Sequence, residues 1–424
     1  MFTGIHRNNC CLQKNWAFSV KGSGGVEELQ RYFPGGARGR VSRNPSCSGV
    51  FRLAVMLMVL LIQAGCTSLP DDEAAWILED LAVREGASRL KEYTPDPVRQ
   101  PVVYTVSGRA YQGDLYRPAQ HPRAAMVLVP GVARQGKDDP RLVAFASTLA
   151  RARFLVLVPD LPGLRAHRVS AEDARAVTDA FTHLLSRGEL PVQGRAGIGA
   201  FSYSVGPVML AALDPGIRAR VDFVLGVGGY YDLRQVVTFF TTGYFRKQGY
   251  WQYLEPNSYG KWVFVLDNAE RLADPDDRAI FRRMAQRKLA NPQSDIDELA
   301  GRLTAEGQSL LDLLDNRDPE RAPALIARLP VSMRAELDAL NLAGRDLSRL
   351  NAKLILLHGT DDAIIPYTES MALAAAVPAG QAELFLIEGL AHVNVRPFGL
   401  DRRALWRAIG ALLAQRGASE GDLQ

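Results

Sequence analysis

The sequence predicts an α/β fold built on a doubly wound, mostly parallel sheet, with a large helical segment inserted into it. Near-continuous apolar runs at 124–131 and 154–160 are typical of parallel strands that are buried on both faces. Helical patterns separate most of the strand-like runs, which favours right-handed strand–helix–strand crossovers. This alternation stops near residue 232 and resumes near residue 350, which indicates the insertion.

The remaining strands follow from the same patterns. Segments 102–106 and 111–116 alternate apolar and polar residues, so they predict an antiparallel hairpin ahead of the first buried run. Further strands are predicted at 196–201, 221–227, 353–357 and 382–387. The core of the fold is therefore expected in two parts, 100–232 and 351–424.

The insertion at 233–350 contains no convincing strand. Asn291 and Asp318 each precede a proline, a pairing that predicts helix starts. Helical runs are predicted at 277–289, 294–314 and 319–329. We expect a helical cap after the sixth strand, the alternative being an insertion with a purely structural role.

Composition excludes several classes of function. Of the 424 residues, 47% are hydrophobic and 23% are charged, as in a globular protein. The net charge of +4 arises in residues 1–65, which hold 8 Lys and Arg against 2 Asp and Glu, so the remainder has 42 basic and 44 acidic residues. No nucleic-acid partner is expected from this balance. All four cysteines lie within the first 66 residues, so the rest of the chain has no disulfide, zinc cluster or cysteine nucleophile.

Three short stretches suggest one catalytic arrangement. They are 200–204 with two serines, 358–366 with two aspartates, and 389–392 ending in a histidine. Each follows a strand-like run, and they occur in the order nucleophile, acid, base. A serine hydroxyl needs a base to take its proton, and a carboxylate must orient that base. This chain order differs from the orders of chymotrypsin-like and subtilisin-like enzymes.

The three stretches resemble those of α/β-hydrolases, over roughly 100–232 and 350–415. The resemblance implies a nucleophile on a strand-to-helix elbow, with the acid and histidine on later loops. It also implies a helical cap and chemistry that needs no metal or organic cofactor.

Two serines compete for the role of nucleophile, because the family pattern Gly-x-Ser-x-Gly has no clean match. The run 195–202 resembles the family's strand and elbow without a gap, which favours Ser202. With Ser204 instead, Gly206 stands at the pattern's last glycine, and Pro207 falls in the first helical turn, where a missing N–H is tolerated.

The resemblance assigns the acid and the base. Asp362 occupies the acid position in a pattern similar to His-Gly-x-x-Asp-x-x-Ile-Pro, with Asp361 as the neighbour that could be confused with it. His392 follows the last predicted strand, thirty residues after Asp362, and is the expected base. His358 is expected to pack at the end of its strand.

An oxyanion hole needs two backbone N–H groups directed at the developing negative charge. One is expected from Tyr203, the residue after Ser202. The other is expected from Val132, in the loop after the first buried strand, where Pro130 stands in place of the family's usual histidine before Gly131.

Aromatic residues are concentrated at the start of the insertion. Twelve of the chain's 34 lie between Tyr230 and Phe264. Most are expected to form the core of the insertion. Tyr230 and Tyr231, directly after a predicted strand, are candidates for the substrate pocket.

An export signal is predicted near the N-terminus. Arg52 and the ten-residue apolar run 53–62 precede Cys66, and residues 50–65 resemble a bacterial lipoprotein signal peptide. The resemblance implies lipidation of Cys66 and a place in the cell envelope, facing the periplasm. Thr67 after the cysteine resembles lipoproteins of the outer membrane. The alternative is an ordinary cleaved signal or a short anchor.

The segments on either side of this signal are interpreted separately. Residues 1–49, which show no sustained periodicity, are interpreted as a spurious or disordered extension. Residues 66–99 are interpreted as a linker with an amphipathic helix.

The leading functional hypothesis is a lipid-anchored serine hydrolase that cleaves small-molecule esters or thioesters. One alternative is an acyltransferase with the same triad, in which an alcohol or sugar replaces water. The other is a non-catalytic envelope lipoprotein that binds lipid or a partner, which the imperfect elbow pattern keeps open.

Overall fold

The structure, a computed structural model, describes residues 71–190, 194–392, 394–395 and 400–417. The predicted signal peptide, Cys66 and the 1–49 extension lie outside the described residues. Within the described part of the chain, no helix is both long and apolar enough to cross a membrane.

The strands of the described residues fall into one large sheet and two small hairpins. In chain order they are β1 Val98–Val106, β2 Arg109–Arg117, β3 Ala124–Val129, β4 Phe154–Pro159, β5 Arg195–Phe201, β6 Phe223–Val227, β7 Tyr244–Lys247, β8 Tyr250–Tyr253, β9 Lys353–Gly359, β10 Ala382–Ile387, β11 Leu390–Ala391 and β12 Asn394–Val395.

The large sheet has eight strands in the order β1-β2-β4-β3-β5-β6-β9-β10. β2 pairs antiparallel with both β1 and β4, and every pair from β4 to β10 is parallel. All six residues of β3 and of β4 are buried, because helices cover both faces of the sheet. The predicted α/β class and the mostly parallel sheet are confirmed.

The helices lie before, between and after the strands. In chain order they are α1 Asp71–Val83, α2 Arg89–Tyr93, α3 Pro140–Arg151, α4 Pro162–Arg165, α5 Asp173–Ser186, α6 Val205–Ala212, α7 Leu233–Thr242, α8 Ser258–Asn268, α9 Pro275–Ala290, α10 Asp297–Ala300, α11 Ala305–Asp315, α12 Ala322–Arg328, α13 Val331–Leu340, α14 Thr368–Ala375 and α15 Arg402–Leu413.

Two apolar clusters fill the two faces of the sheet. On one face, α1, α3 and α15 supply buried residues such as Ile77, Leu149 and Leu412. On the other face, α5 and α6 pack together with apolar residues from the insertion. The insertion therefore shares a core with the sheet.

The insertion departs from the sequence prediction in one element. β7 and β8 form an antiparallel hairpin in a segment that was predicted to hold no strand, and that prediction is wrong. Gln248 and Gly249 turn the chain with φ angles of 52° and 84°. Each of the two strands has only four residues, too few for their alternation to stand out in the sequence.

The predicted helix starts are also displaced. Asn291 caps the C-terminus of α9 instead of beginning a helix. The last predicted run begins at Ala322, three residues after Pro319. The run predicted at 294–314 is two helices, because Thr304 caps a separate helix α11 with its side chain.

Buried polar contacts hold the start of the insertion against α14 and against the insertion's own end. The amides of Tyr231 and Asp232 donate to Glu369 Oε2 over 3.0 and 2.7 Å. The amide of Leu233 donates to Asn341 Oδ1 over 2.8 Å. Glu369 lies on α14 and is 5% exposed, and burial raises its pKa from 4.5 to about 7.

We expect Glu369→Gln to flatten the dependence of stability on pH. The folded state binds the proton of the Glu369 carboxyl more tightly than the unfolded chain does. The unfolding free energy that this tighter binding contributes is therefore fully present below pH 4.5 and is lost as pH rises through about 7. In the variant, the fall in unfolding free energy across this window should be smaller by up to about 1.4 kcal/mol per pH unit. Urea denaturation between pH 4.5 and 8 measures this slope.

The exposed Glu85 supplies the matched control, because Glu85→Gln removes a carboxyl that stays in solvent. Its slope should equal that of the wild type. Equal slopes for wild type and Glu369→Gln would contradict the prediction.

Candidate active site

Ser202 stands on a sharp turn between β5 and α6. Its φ of 58° lies in the left-handed region, which a residue with a side chain adopts only under strain. A single 3₁₀ turn, Ser202–Ser204, separates the end of the strand from the helix. Such a turn raises a serine hydroxyl above the edge of a parallel sheet.

Close packing under the turn leaves no space for a side chain at Gly206. A Cβ atom added there would lie 1.9 Å from Tyr230 Oη. The glycine is therefore required by the neighbouring loop, and its presence does not identify the serine of the elbow.

The structure brings Ser202, His392 and Asp362 into one hydrogen-bonded chain. His392 Nδ1 lies 2.7 Å from Asp362 Oδ2, and His392 Nε2 lies 2.8 Å from Ser202 Oγ. The carboxylate can only accept, so Nδ1 is the donor, and in the neutral ring Nε2 is left to accept the serine proton. The three residues are 1% to 9% exposed.

The surrounding backbone fixes the carboxylate of Asp362. Its second oxygen, Oδ1, accepts hydrogen bonds from the amides of Ile364 at 2.8 Å and Ile365 at 3.0 Å. Burial alone would raise the pKa of Asp362, but the charge of His392 and hydrogen bonds from His358 and His392 bring that pKa well below its ordinary value. Asp362 is therefore a carboxylate at neutral pH.

A glycine allows the loop after β6 to approach this pair closely. Gly228 has a φ of 63°, and a Cβ atom there would lie 3.4 Å from His392 Nδ1 and 3.6 Å from Asp362 Oδ2. His392 has a φ of 55°, at the short β11–β12 hairpin. Two residues with left-handed φ angles, Gly228 and His392, thus lie at the hydrogen bond between His392 and Asp362.

Ser204 lies elsewhere. It has no exposed surface, and its Oγ donates to the carbonyl of Pro130 over 2.7 Å. The hydroxyl therefore ties the loop after β3 to the elbow. Of the two serines considered as nucleophile, the structure brings Ser202 and not Ser204 to His392.

A cavity of about 650 Å³ opens beside Ser202 and His392. Val132 and Tyr203, the expected oxyanion residues, both line it. Most of the remaining wall is apolar and comes from α3, β5, the insertion and the loop after β9. These wall residues include Leu142, Phe145, Phe201, Val263, Leu289, Pro292 and Ile364.

Tyr230 and Tyr231 do not line this cavity, so the structure differs from the predicted pocket. Tyr230 is buried, and its hydroxyl donates to the carbonyl of Leu340 over 3.0 Å. The backbone of Tyr231 is held by Glu369 instead. The residues after β6 therefore anchor the insertion, and its contribution to the cavity begins at Asn257.

The wall residues of the insertion were missed by sequence reasoning. Val263 and Leu289 lie on amphipathic helices, where an apolar residue that faces a cavity has the same spacing as one that faces the core. Asn257 is the N-cap directly before α8, and a local signal of this kind does not show where the helix lies in the fold.

Comparison with solved structures identifies the fold. A candidate hydrolase from Legionella pneumophila is 12% identical, with a TM-score of 0.51, over 81% of this chain and 94% of that chain. The chain has the α/β-hydrolase fold. The α/β-hydrolase GrgF from Penicillium sp. sh18 is 16% identical with a TM-score of 0.48, over 76% of this chain and 100% of that chain.

A third similar structure is a single-residue mutant of LipA, a rice cell wall degrading esterase from Xanthomonas oryzae. It is 16% identical with a TM-score of 0.47, over 68% of this chain and 82% of that chain. No family model matches the chain, and no curated protein matches its sequence. At these identities the likeness concerns the fold alone.

The described residues contain no cluster of metal-ligating side chains. Among residues 71–190, 194–392 and 400–417, no group of three or more His, Cys, Asp or Glu could hold a metal ion.

Proposed function

We propose that this protein is a serine hydrolase that cleaves carboxylic esters or thioesters through Ser202, His392 and Asp362. The observation that carries the proposal is the hydrogen-bonded chain from Ser202 Oγ through His392 to Asp362 Oδ2. Because the serine has a left-handed φ at the end of a parallel strand, the strain at this position also supports a functional role.

The first half of the reaction forms an acyl-enzyme. Ser202 Oγ attacks the carbonyl carbon, and its proton moves to His392 Nε2. The positive imidazole that results is stabilised by the carboxylate of Asp362, 2.7 Å from Nδ1. The bond to the leaving alkoxide or thiolate then breaks, and the leaving group takes the proton from His392.

The second half repeats these steps with water. His392 Nε2 takes a proton from a water molecule, whose oxygen attacks the acyl carbon. The bond to Ser202 Oγ breaks, and the serine recovers its proton from His392. The carboxylic acid leaves, and the enzyme returns to its starting state.

Negative charge on the carbonyl oxygen requires donors in both halves of the reaction. We assign this role to the backbone N–H groups of Val132 and Tyr203, which line the same cavity as Ser202. The hydrogen bond from Ser204 to Pro130 supports the assignment, since it fixes the loop that carries Val132 relative to the elbow that carries Tyr203.

The cavity supports a substrate with an apolar group next to the ester. Its volume of about 650 Å³ suits a small molecule, and aromatic and aliphatic side chains make up most of the wall near Ser202. Phe145 and Phe201 pack edge to face on one side, 5.8 Å apart, and Leu289 lies on the insertion side.

Fluorophosphonate labelling tests the nucleophile. An activated serine displaces fluoride and becomes phosphonylated, so we expect the wild-type protein to be labelled and Ser202→Ala to lose the label completely. Mass spectrometry of the labelled peptide identifies the modified residue. A folded wild-type protein that takes no label would contradict the proposed function.

Ser204→Ala is the matched control in the same turn. We expect it to keep the label, with the unfolding free energy lowered by about 1–3 kcal/mol because the carbonyl of Pro130 loses its partner. Loss of labelling in folded Ser204→Ala, with the label retained in Ser202→Ala, would move the nucleophile to Ser204.

The cavity wall yields a second expectation. Leu289→Trp should fill part of the cavity. The ratio of kcat/KM for a long-chain p-nitrophenyl ester to kcat/KM for p-nitrophenyl acetate should therefore fall about tenfold. This is the size of effect that one or two methylene groups have in an apolar pocket. Leu303→Trp changes a partly buried insertion residue that does not line the cavity; it is the control and should leave this ratio unchanged. An unchanged ratio in Leu289→Trp would show that this wall does not contact the substrate.

We also propose that the hydrolase is tethered to a bacterial membrane, on its periplasmic side, by lipid attached to Cys66. The support is the sequence pattern around Cys66, which lies outside the described residues. An acyl chain in the bilayer contributes about 0.8 kcal/mol per buried CH₂, so several chains hold a protein firmly.

Fractionation of bacterial cells that express the chain tests the tether. The wild type should pellet with membranes, while Cys66→Ser, which has no thiol to lipidate, should move to the soluble fraction. Ser68→Ala keeps the thiol of Cys66 and should behave as the wild type. Membrane association that persists in Cys66→Ser would refute lipidation at this residue.

A further inference from the structure

A second buried histidine contacts the carboxylate of Asp362. His358 lies in β9, four residues before Asp362, and has no exposed surface. Its Nε2 is 3.2 Å from Asp362 Oδ2 and 2.9 Å from the carbonyl oxygen of Ile365. Its Nδ1 is 2.7 Å from Ser370 Oγ. Both ring nitrogens therefore have fixed partners.

The partners determine which nitrogen of His358 carries a proton. The carbonyl of Ile365 and the carboxylate of Asp362 can only accept hydrogen bonds, so Nε2 must be protonated to contact them. In the neutral ring Nδ1 then accepts a hydrogen bond, and the hydroxyl of Ser370 can donate it. Ser370 thereby selects the form of the ring that donates toward Asp362.

The two oxygens of Asp362 differ in how firmly they are held. Oδ1 accepts from two backbone amides, those of Ile364 and Ile365. Oδ2 faces Nδ1 of His392, a ring whose charge changes in each half of the proposed reaction, and also Nε2 of His358. His358 is thus the neighbour of Oδ2 that takes no part in the proposed proton transfers.

We propose that His358, oriented by Ser370, is a positioning residue that holds Asp362 Oδ2 in line with His392 Nδ1. The inference rests on the proposed function in one respect, since the reaction it assists is the acylation of Ser202. The hydrogen bond from His358 is one of the contacts that hold the pKa of Asp362 below its ordinary value, which agrees with this geometry.

Steady-state kinetics on p-nitrophenyl esters compare three variants. His358→Phe keeps a ring but no donor, and its kcat should fall about tenfold to a hundredfold, as for one hydrogen bond to a charged group, with little change in KM. His358→Gln keeps an N–H that can reach Asp362, so it should retain most of kcat. Ser370→Ala should lose several-fold, because the ring is no longer held.

A control variant and a fold check accompany these measurements. Met371→Ala changes an exposed residue on the same helix as Ser370 and should match the wild type. If His358→Phe does not fold, Ser370→Ala and His358→Gln carry the test. Wild-type kcat in folded Ser370→Ala and His358→Phe would overturn the proposal, and so would equal losses in His358→Phe and His358→Gln.

Proton NMR separates this proposal from the proposed function. The Nδ1 proton of His392, hydrogen-bonded to Asp362, should give a low-field signal in the wild type, whether or not any ester is hydrolysed. We expect this signal to shift or broaden in His358→Phe and Ser370→Ala but not in Met371→Ala. An unchanged signal in all variants would overturn the role of His358. A wild type that takes no fluorophosphonate label, with a shifted signal in the variants, would overturn only the hydrolase assignment.

Discussion

The buried carboxylate of Asp362 is the constraint on which the rest of the site depends. A charge with almost no contact with solvent is stable only when fixed donors replace its hydration. Here the donors are two amides of its own loop and the rings of His358 and His392. Strand β9, the loop 360–366 that carries Asp362 (the acid loop) and the hairpin at β11 must therefore all keep their positions for Asp362 to remain ionised.

The same requirement connects the sheet to the insertion. Ser370, which contacts His358, is preceded on α14 by Glu369, whose carboxyl holds the amides of Tyr231 and Asp232 where the insertion begins. Adjacent residues of one helix thus contact the second histidine and the base of the insertion. A shift of α14 would therefore disturb both the contact to His358 and the start of the insertion.

The sequence predicts the core better than the insertion for a physical reason. A parallel strand buried on both faces must be apolar along its whole length, as β3 and β4 are, so its position can be read from composition alone. The sites of Ser202, Asp362 and His392 follow from the same strands, because loops at their carboxyl ends meet at one edge of the sheet. Tyr230 lies in a loop of this kind, but its side chain turns inward to pack on Gly206, a contact that no local pattern encodes.

The insertion contacts two loops of the proposed active site. The amide of Asn257 donates to the carbonyl of Ala363 in the acid loop over 2.7 Å, and Tyr259 Oη lies 3.5 Å from the carbonyl of Val132. The start of α8 therefore reaches from the loop that carries Asp362 to the loop that carries Val132. Because one short segment touches both loops and also lines the cavity, the proposed reaction would make its residues contribute both to substrate fit and to the geometry of the two loops. Residues 257–292 are therefore the part of the insertion that would contact a substrate of the proposed hydrolase.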